Sequence, residues 1–96
     1  MHLISPKKLR DFWDVHPEAE SPLRSFQNLV KRAEFKSFAD LRRTFPSADL
    51  VGKVTVFNIA GQKFRLIAVI HYNTQKIYVR HVLTHHDYDR VHWQDG

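Results

Sequence analysis

The first half of the chain carries apolar side chains at the spacing of amphipathic helices. Ser5-Pro6 is a typical helix start, and Pro17 ends the element that follows. Ser21-Pro22 gives the same start signal for a second helix. The apolar stripe of that helix comprises Leu23, Phe26, Leu29, Val30 and Ala33. Both stripes are expected to face the core. A short turn from Phe38 to Phe45 should follow, with Ser37 as its cap.

The second half changes to the β-branched and aromatic runs VTVFNI, KFRLIAVIHY and KIYVRHVL, which predict three strands. Two-residue loops at Ala60-Gly61 and Asn73-Thr74 should join them as a meander. His2-Leu3-Ile4 is a candidate edge strand, and residues 47–52 are expected to form a loop. The fold class is therefore α+β in one domain, residues 1–96. Two N-terminal helices should pack on one face of a small antiparallel sheet, with a short C-terminal helical turn.

Alternation along the strands sorts the side chains onto two faces. With a two-residue loop, Ile70 lies opposite Ile77, and the shared face is apolar except for His81. We expect His81 to be buried and satisfied by backbone groups. His71, near the turn, should be exposed and without a role. The opposite face is expected to present Asn58, Lys63, Arg65, Lys76, Tyr78, Arg80, Val82 and Thr84.

The charge distribution makes this second face strongly basic. The net charge is +5, the sequence pI is about 9.8, and residues 50–86 contain no aspartate or glutamate. Arg65 and Arg80 should lie at the diagonal separation of roughly 7–8 Å on neighbouring strands. Because like charges repel, that arrangement favours a bound anion, and guanidinium groups bind phosphate in a bidentate way. Nucleic acid is the first candidate partner.

Composition excludes several other classes of protein. The chain has no cysteine, so disulfides, thiolate metal sites and a cysteine nucleophile are ruled out. It has no G-x-S-x-G elbow and no glycine-rich phosphate loop. An apolar run of membrane-spanning or signal length is also missing, so we expect a cytoplasmic protein that does not enter a membrane.

The motif THHDYD, residues 84–89, follows the last strand. Thr84 or Asp87 could cap a helical turn in which His85 and Tyr88, three residues apart, meet on one side. Imidazole and phenol can both transfer protons, and Tyr78 and Tyr88 could stack on a base. Metal binding is the alternative to this catalytic interpretation, although its ligands would have no established spacing. The ligands in question are His85, His86, Asp87 and Asp89.

These residues resemble the HigB-type toxins of bacterial toxin–antitoxin modules, in the RelE-like superfamily. The resemblance spans nearly the whole chain, from the opening MHLIS to the pair Val91 and Trp93. Its core is an F-N-x-x-G-x-x-x-R-L run, a Y-V-R strand and a T-H-x-x-Y-D ending. The matching positions are Phe57-Asn58, Gly61, Arg65-Leu66, Tyr78-Val79-Arg80, Thr84-His85 and Tyr88-Asp89.

The resemblance implies an α+β fold with helices on one side of a small sheet. It also implies an endoribonuclease that cuts messenger RNA during translation on the ribosome. Because the 2′-hydroxyl of the RNA can itself attack the adjacent phosphate, we expect the reaction to need no metal or other cofactor. A HigA-type antitoxin with a helix-turn-helix would inhibit it. On matching positions the catalytic residues would be Lys63, Arg65, Arg80, His85 and Tyr88. The basic face adds Asn58, Lys76, Tyr78 and Thr84, with Lys63 again, as RNA contacts.

Three alternatives remain open from sequence. A ParE-like relative would use the same scaffold to inhibit DNA gyrase without enzymatic chemistry, although such relatives tend to lack the basic residues and tyrosine present here. A plain RNA-binding module would bind RNA without cleaving it. An inactive member of the family would keep the fold alone.

Overall fold

The computed structural model describes residues 1–90 and has the predicted α+β architecture. Its helices are α1 (Pro6–Val15), α2 (Glu20–Arg32), α3 (Phe38–Thr44) and α4 (His85–Arg90), with a 3-10 turn at Pro17–Ala19. Its strands are β1 (His2–Ile4), β2 (Asp49–Val51), β3 (Val54–Ile59), β4 (Phe64–His71) and β5 (Lys76–Thr84). Within this part of the chain, no helix has both the length and the hydrophobicity to cross a bilayer. Val91 and Trp93, which belong to the resemblance, lie outside the described residues.

The sheet is larger than the predicted meander. Its strand order is β1-β5-β4-β3-β2, with β1 parallel to β5 and all other pairs antiparallel. The meander and the edge strand β1 are confirmed. The loop expected over residues 47–52 is wrong, because Asp49–Val51 pairs with β3. Gly52 adopts a φ of 59° in the turn between these strands, a conformation that glycine accepts readily.

The helix starts follow the sequence signals only in part. Ser5 precedes α1 with Pro6 in its first turn, but its backbone is left-handed (φ 68°) and its side chain caps nothing. Helix α2 begins at Glu20 rather than at Pro22 with Ser21 as its cap, because the 3-10 turn leads directly into it. Ser37 caps α3 as predicted, since its hydroxyl accepts a hydrogen bond from the Asp40 amide at 3.1 Å.

The two long helices pack on one face of the sheet, as the apolar stripes predict. The core comprises Leu9, Trp13, Leu23, Phe26 and Val30 from the helices, and Phe57, Leu66, Ala68, Ile77 and Val79 from the strands. Phe57 lies at its centre, with its ring centroid 4.9 Å from Phe26 and 5.1 Å from Phe45. Leu29, expected in the α2 stripe, is instead 47% exposed.

The first hairpin has a longer loop than predicted but keeps the predicted faces. Ile59 pairs with Phe64, so the turn contains four residues, with Ala60 (φ 55°) and Gly61 (φ 69°) both left-handed. The register therefore differs by two residues from the predicted one. Because side chains alternate with a period of two, Asn58 and Arg65 still share the face that α1 and α2 leave uncovered, called here the open face.

The second hairpin departs from prediction halfway along. Its register matches as far as the pair Ala68–Val79, and then a β-bulge shifts it. Because Arg80 is the additional residue, His81 lies opposite Ile67 on the open face and is half-buried. The predicted buried His81 is therefore wrong. Val82 and Thr84 move to the helix-covered side, where they lie opposite Leu66 and Phe64, and Leu83 takes the place opposite Arg65.

The Tyr72 hydroxyl is a buried polar group at the edge of the core. Its ring packs against the main apolar cluster, and its oxygen has no hydrogen-bond partner of good geometry among the described residues. Burial raises the pKa of Tyr72, and the nearby Thr55 hydroxyl opposes that rise in part. The neutral phenol is therefore the form that the fold accommodates.

Replacing Phe57 should test how much the helix-covered face contributes to stability. Phe57→Ala removes a side chain that is 1% exposed, so the free energy of unfolding should fall by about 3–5 kcal/mol. Leu29→Ala, at a 47% exposed position, is the control and should cost well under about 1 kcal/mol. Urea unfolding followed by circular dichroism measures both, and equal losses would contradict this assignment of the core.

Replacing Tyr72 by phenylalanine should flatten the stability profile at high pH. The folded pKa lies above the unfolded value of about 10, so the folded state holds its proton more tightly. Stability should therefore decline as the pH rises from about 10 toward the folded pKa. Tyr72→Phe should remove this part of the decline without lowering stability at neutral pH. A variant that declines as steeply as the parent between pH 9 and 11, roughly the range around that unfolded value, would refute it.

Candidate active site

The THHDYD segment forms a short helix that is tied to the end of the sheet. The Thr84 hydroxyl accepts a hydrogen bond from the Asp87 amide at 3.0 Å and so caps α4. The His85 amide donates to the Lys63 carbonyl at 2.9 Å, which attaches the first residue of α4 to the turn between β3 and β4. The predicted helical turn is confirmed. Its cap is Thr84 rather than Asp87.

Arg65 and Tyr88 are brought together across the junction of β4 and α4. The guanidinium carbon of Arg65 lies 5.4 Å from the centre of the Tyr88 ring, which is a cation–π arrangement. The Gln62 carbonyl accepts a hydrogen bond from Arg65 Nη1 at 2.9 Å and fixes the guanidinium further. Both side chains are half-buried. A phenol and an oriented guanidinium thus share one location at the end of the open face.

An apolar patch beneath Tyr88 was not predicted from sequence. Val56 and Ile67 are 4% and 1% exposed on the open face, and Val51, Val54, Leu83 and Tyr88 pack against them. The signal was present, since strand alternation puts Val56 and Ile67 on this side. The patch is the surface on which Tyr88 rests, so it positions the phenol beside Arg65.

Arg80 does not occupy the predicted position diagonal to Arg65. The residue opposite Arg65 is Leu83, so the diagonal position on β5 belongs to His81, which pairs with Ile67. Arg80 is the additional residue of the bulge, next to His81. Arg80 is exposed, and its carbonyl accepts a hydrogen bond from Lys8 Nζ at 3.0 Å. The register predicted around Arg80 is therefore wrong, and the bulge is its physical cause.

A shallow depression of about 760 Å³ is lined by Lys63 and His85, together with Thr84, His86 and Glu18. Lys63 and His85 are close in sequence to Arg65 and Tyr88, respectively. Lys63 lies in the turn before β4 rather than within the strand, and is exposed. His85 Nδ1 is 3.6 Å from an Asp89 carboxylate oxygen. A carboxylate at that distance can orient the imidazole ring.

The remaining predicted RNA contacts are distributed along the open face. Asn58 is half-buried and lies directly opposite Arg65. Tyr78 and Lys76 lie toward the other end of β5, where Tyr78 meets the exposed His71 edge-on at 5.2 Å. Thr84 faces the helix-covered side, where its hydroxyl caps α4. The structure therefore gathers Asn58, Arg65 and Tyr88 at one end of the face and leaves Tyr78 and Lys76 at the other.

The C-terminal acids and histidines pair with neighbours on α4. His85 is near Asp89, and His86 Nε2 lies 3.0 Å from Arg90 Nη1. Among residues 1–90, no group of three or more histidine, aspartate or glutamate side chains is arranged to hold a metal ion. The metal-binding alternative for residues 85–89 therefore has no support in the geometry.

Two contacts at the site carry no recognisable sequence signal. Gln62 acts through its main-chain carbonyl, which any residue could supply. Lys8 reaches Arg80 from α1, 72 residues away along the chain, so only the tertiary fold brings them together.

Comparison with known proteins agrees with this architecture. A family model described as HigB_toxin, RelE-like toxic component of a toxin-antitoxin system, matches residues 19–91. The mRNA interferase toxin HigB of Escherichia coli (strain K12) is 36% identical over 92 residues, covering 93% of this chain and 88% of that protein. The mRNA interferase HigB of Shigella flexneri shows the same identity and coverage. A homologue of that name from Escherichia coli O6:H1 is 27% identical over 94 residues, or 95% and 91% of the two chains.

These matches confirm the family that the motifs around Arg65, Arg80 and Tyr88 indicated. They extend over the helices as well as the sheet, so the similarity concerns the whole fold and not one motif. The chain belongs to the HigB toxin family, the RelE-like toxic components of toxin–antitoxin systems.

Proposed function

We propose that this chain is a metal-independent endoribonuclease toxin that cleaves messenger RNA during translation on the ribosome. The observation that carries the proposal is the Arg65 guanidinium held against the Tyr88 phenol on the uncovered side of the sheet. An anion-binding group and a proton-transfer group then meet in one place. The relatives from E. coli and S. flexneri are named mRNA interferases, which supports messenger RNA as the substrate.

The proposed reaction is attack of a ribose 2′-hydroxyl on the adjacent phosphate. A bond forms between the 2′-oxygen and phosphorus, and the bond from phosphorus to the 5′-oxygen breaks. A general base takes the proton of the 2′-hydroxyl, and a general acid protonates the departing 5′-oxygen. The products end in a 2′,3′-cyclic phosphate and a 5′-hydroxyl. The nucleophile comes from the RNA, so the protein supplies orientation, charge and proton transfer.

Arg65 is assigned to the scissile phosphate. Its Nη1 donates to the Gln62 carbonyl, and its stacking on Tyr88 restricts the guanidinium plane further. The other N–H groups can then bind phosphate oxygens in a fixed direction. Preorganised donors of this kind stabilise the additional negative charge of the transition state without moving during the reaction.

Tyr88 and His85 are assigned to proton transfer. Tyr88 is in contact with the Arg65 cation, and His85 is three residues earlier on the same short helix. The Asp89 carboxylate, 3.6 Å from His85 Nδ1, can orient the imidazole ring. Either group can serve as base while the other serves as acid, because the reaction requires one of each.

The other candidate residues would bind the flanking RNA. Arg80, the exposed residue at the bulge, would bind a phosphate beside the one held by Arg65, and exposed Lys63 adds positive charge. Asn58 would contact the sugar opposite Arg65, and Tyr78 and Lys76 would follow the strand further along the open face. Thr84 keeps its hydroxyl proton for donation while it accepts from Asp87.

The wider assignment follows from the family. A toxin of this kind has an antitoxin partner, which we propose to be a HigA-type helix-turn-helix protein. Activity on translating ribosomes would place the chain in the cytoplasm. No specific feature of the open face favours gyrase inhibition, whereas the Arg65–Tyr88 pair has a direct use in phosphoryl transfer.

Substitutions at the pair should separate catalysis from folding. Arg65→Ala and Tyr88→Phe should each lower the rate of message cleavage in a translating extract by about 10²–10³-fold, since each removes a transition-state contact. Arg65→Lys should recover little, because an ammonium group cannot bind phosphate in a bidentate way. Arg43→Ala, at an exposed position on α3, is the matched control and should cleave like the parent. The assignment of the site is contradicted if Arg65→Ala and Tyr88→Phe both retain full cleavage activity and still arrest growth.

The chemistry of the RNA ends should report the nucleophile. Cleaved messages should carry 5′-hydroxyl ends that polynucleotide kinase labels without prior phosphatase treatment, and 3′-fragments should map to translated regions. Ends that carry a 5′-phosphate would instead indicate attack by water and contradict the proposed mechanism. Intact messages together with growth arrest would point to another target.

A further inference from the structure

Strand β5 is paired along only part of its outer edge. Strand β1 pairs with residues 76–78, and after Ile4 the chain turns at Ser5 into α1. Within residues 1–90, no other strand pairs with the outer edge of β5 beyond Tyr78, and α1 packs beside β5. A free strand edge offers backbone donors and acceptors to an extended segment of another chain.

The backbone of Val82 is directed toward this free edge. His85 N donates to Lys63 O at 2.9 Å, and that bond fixes which residue pairs exchange hydrogen bonds across the ladder. In an antiparallel ladder, residue pairs that exchange both hydrogen bonds alternate with pairs that exchange none. Lys63 and His85 form a bonded pair. The pair Leu66 and Val82 lies three positions along the ladder from it and is therefore non-bonded. The N–H and C=O of Val82 thus point outward, away from β4.

A groove runs between this edge and α1. It has a volume of about 450 Å³, and Phe12, Val15 and Val82 give it an apolar floor. Val15 is 74% exposed, the most exposed of the large apolar side chains among the described residues. An apolar side chain left so open on a small domain is a natural anchor point for a partner.

The groove is flanked by cations that lack a partner carboxylate among the described contacts. Lys8 Nζ reaches over the edge to the Arg80 carbonyl, and the Arg80 side chain is exposed. Asp11 also lines the groove but is paired with Lys7 at 3.5 Å, and Asp87 lies in the first turn of α4, where the helix dipole stabilises an acid. With a net charge of +5, the chain favours an acidic occupant.

We propose that this groove is the docking site for an extended, acidic segment of the antitoxin. Its main chain would bond to Val82, one apolar side chain would cover Val15 and Phe12, and a carboxylate would pair with Lys8 and Arg80. Membership of a toxin–antitoxin family makes an antitoxin the expected partner, and the unpaired edge, the apolar floor and the charge fit one extended acidic strand.

Docking at this edge would also explain inhibition, a consequence that rests on the proposed function. Arg80 belongs both to the groove and to the set assigned to RNA phosphates. A carboxylate bound to Arg80 would neutralise a charge that the RNA requires. The docking itself depends only on the groove and can be tested at residues that have no part in cleavage.

Val15→Glu tests the docking site, because it places a negative charge on the apolar floor where an acidic segment would lie. The probe is the antitoxin encoded by the reading frame next to the gene for this chain. The variant should arrest growth like the parent when expressed alone, but co-expressed antitoxin should no longer restore growth. The dissociation constant of the purified pair should rise about tenfold or more. Lys8→Glu should behave in the same way, since Lys8 borders the groove and is absent from the catalytic assignment.

Leu29→Glu is the matched control, an equally drastic change at another exposed apolar position, on α2. It should leave both growth arrest and rescue intact. The proposal is overturned if Val15→Glu and Lys8→Glu bind the antitoxin within about twofold of the parent. It is also overturned if both variants are folded and bind antitoxin normally but no longer arrest growth, since the groove would then serve the target. A groove that joins two copies of this chain would show as a dimer that Val15→Glu splits without loss of rescue.

Cleavage and docking can fail separately in this design. Growth arrest without antitoxin reports on the nuclease, and rescue reports on the groove. If Val15→Glu fails to arrest growth because it does not fold, circular dichroism will show the loss of structure. Lys8→Glu, at an exposed surface position, then tests the docking site.

Discussion

Burial of one face of the sheet is the constraint on which the rest of this structure depends. A chain of 96 residues buries only about two-thirds of its unfolded surface. It is too short to cover both faces of the sheet with helices. Helices α1 and α2 take the face that carries Phe57, Leu66 and Ile77. The opposite face remains available for arginine, lysine and asparagine, whose charges and amides stay solvated. The basic surface is thus a consequence of how a small core is completed.

The bulge at Arg80 redirects the half of β5 that leads to α4. One additional residue exchanges the faces of His81, Val82, Leu83 and Thr84. As a result Val82 helps to close the core, and Leu83 joins the apolar patch under Tyr88. The bulge also brings the Arg80 carbonyl within reach of Lys8 on α1. A local irregularity therefore shapes both the candidate active site and the groove at the sheet edge.

The Arg65–Tyr88 contact links the proposed catalytic groups to the ordering of α4. A helix of six residues is too short to be stable alone, so α4 depends on its attachments. These are the Thr84 cap, the bond from the His85 amide to Lys63, and the packing of Tyr88 on the open face. Because the candidate proton donors lie on α4, the site is assembled only when these contacts form.

The sequence by itself determined the α+β class, the amphipathic helices, the central meander and the residue types of the site. Periodicities of 3.6 and 2 are local properties, so Leu23 and Phe26, or Phe57 and Arg65, reveal their faces without a structure. Tertiary structure decided what no local pattern encodes. The bulge moved His81 out of the predicted core and put it in the position diagonal to Arg65 that was predicted for Arg80. Sequence could not show this, because one additional residue leaves composition and alternation almost unchanged. Lys8 and Arg80 are 72 residues apart, so only the folded chain brings them together. Strand β2 and the Gln62 carbonyl have partners close in sequence, but main-chain hydrogen bonds do not depend on the residue type and so leave no signal in it.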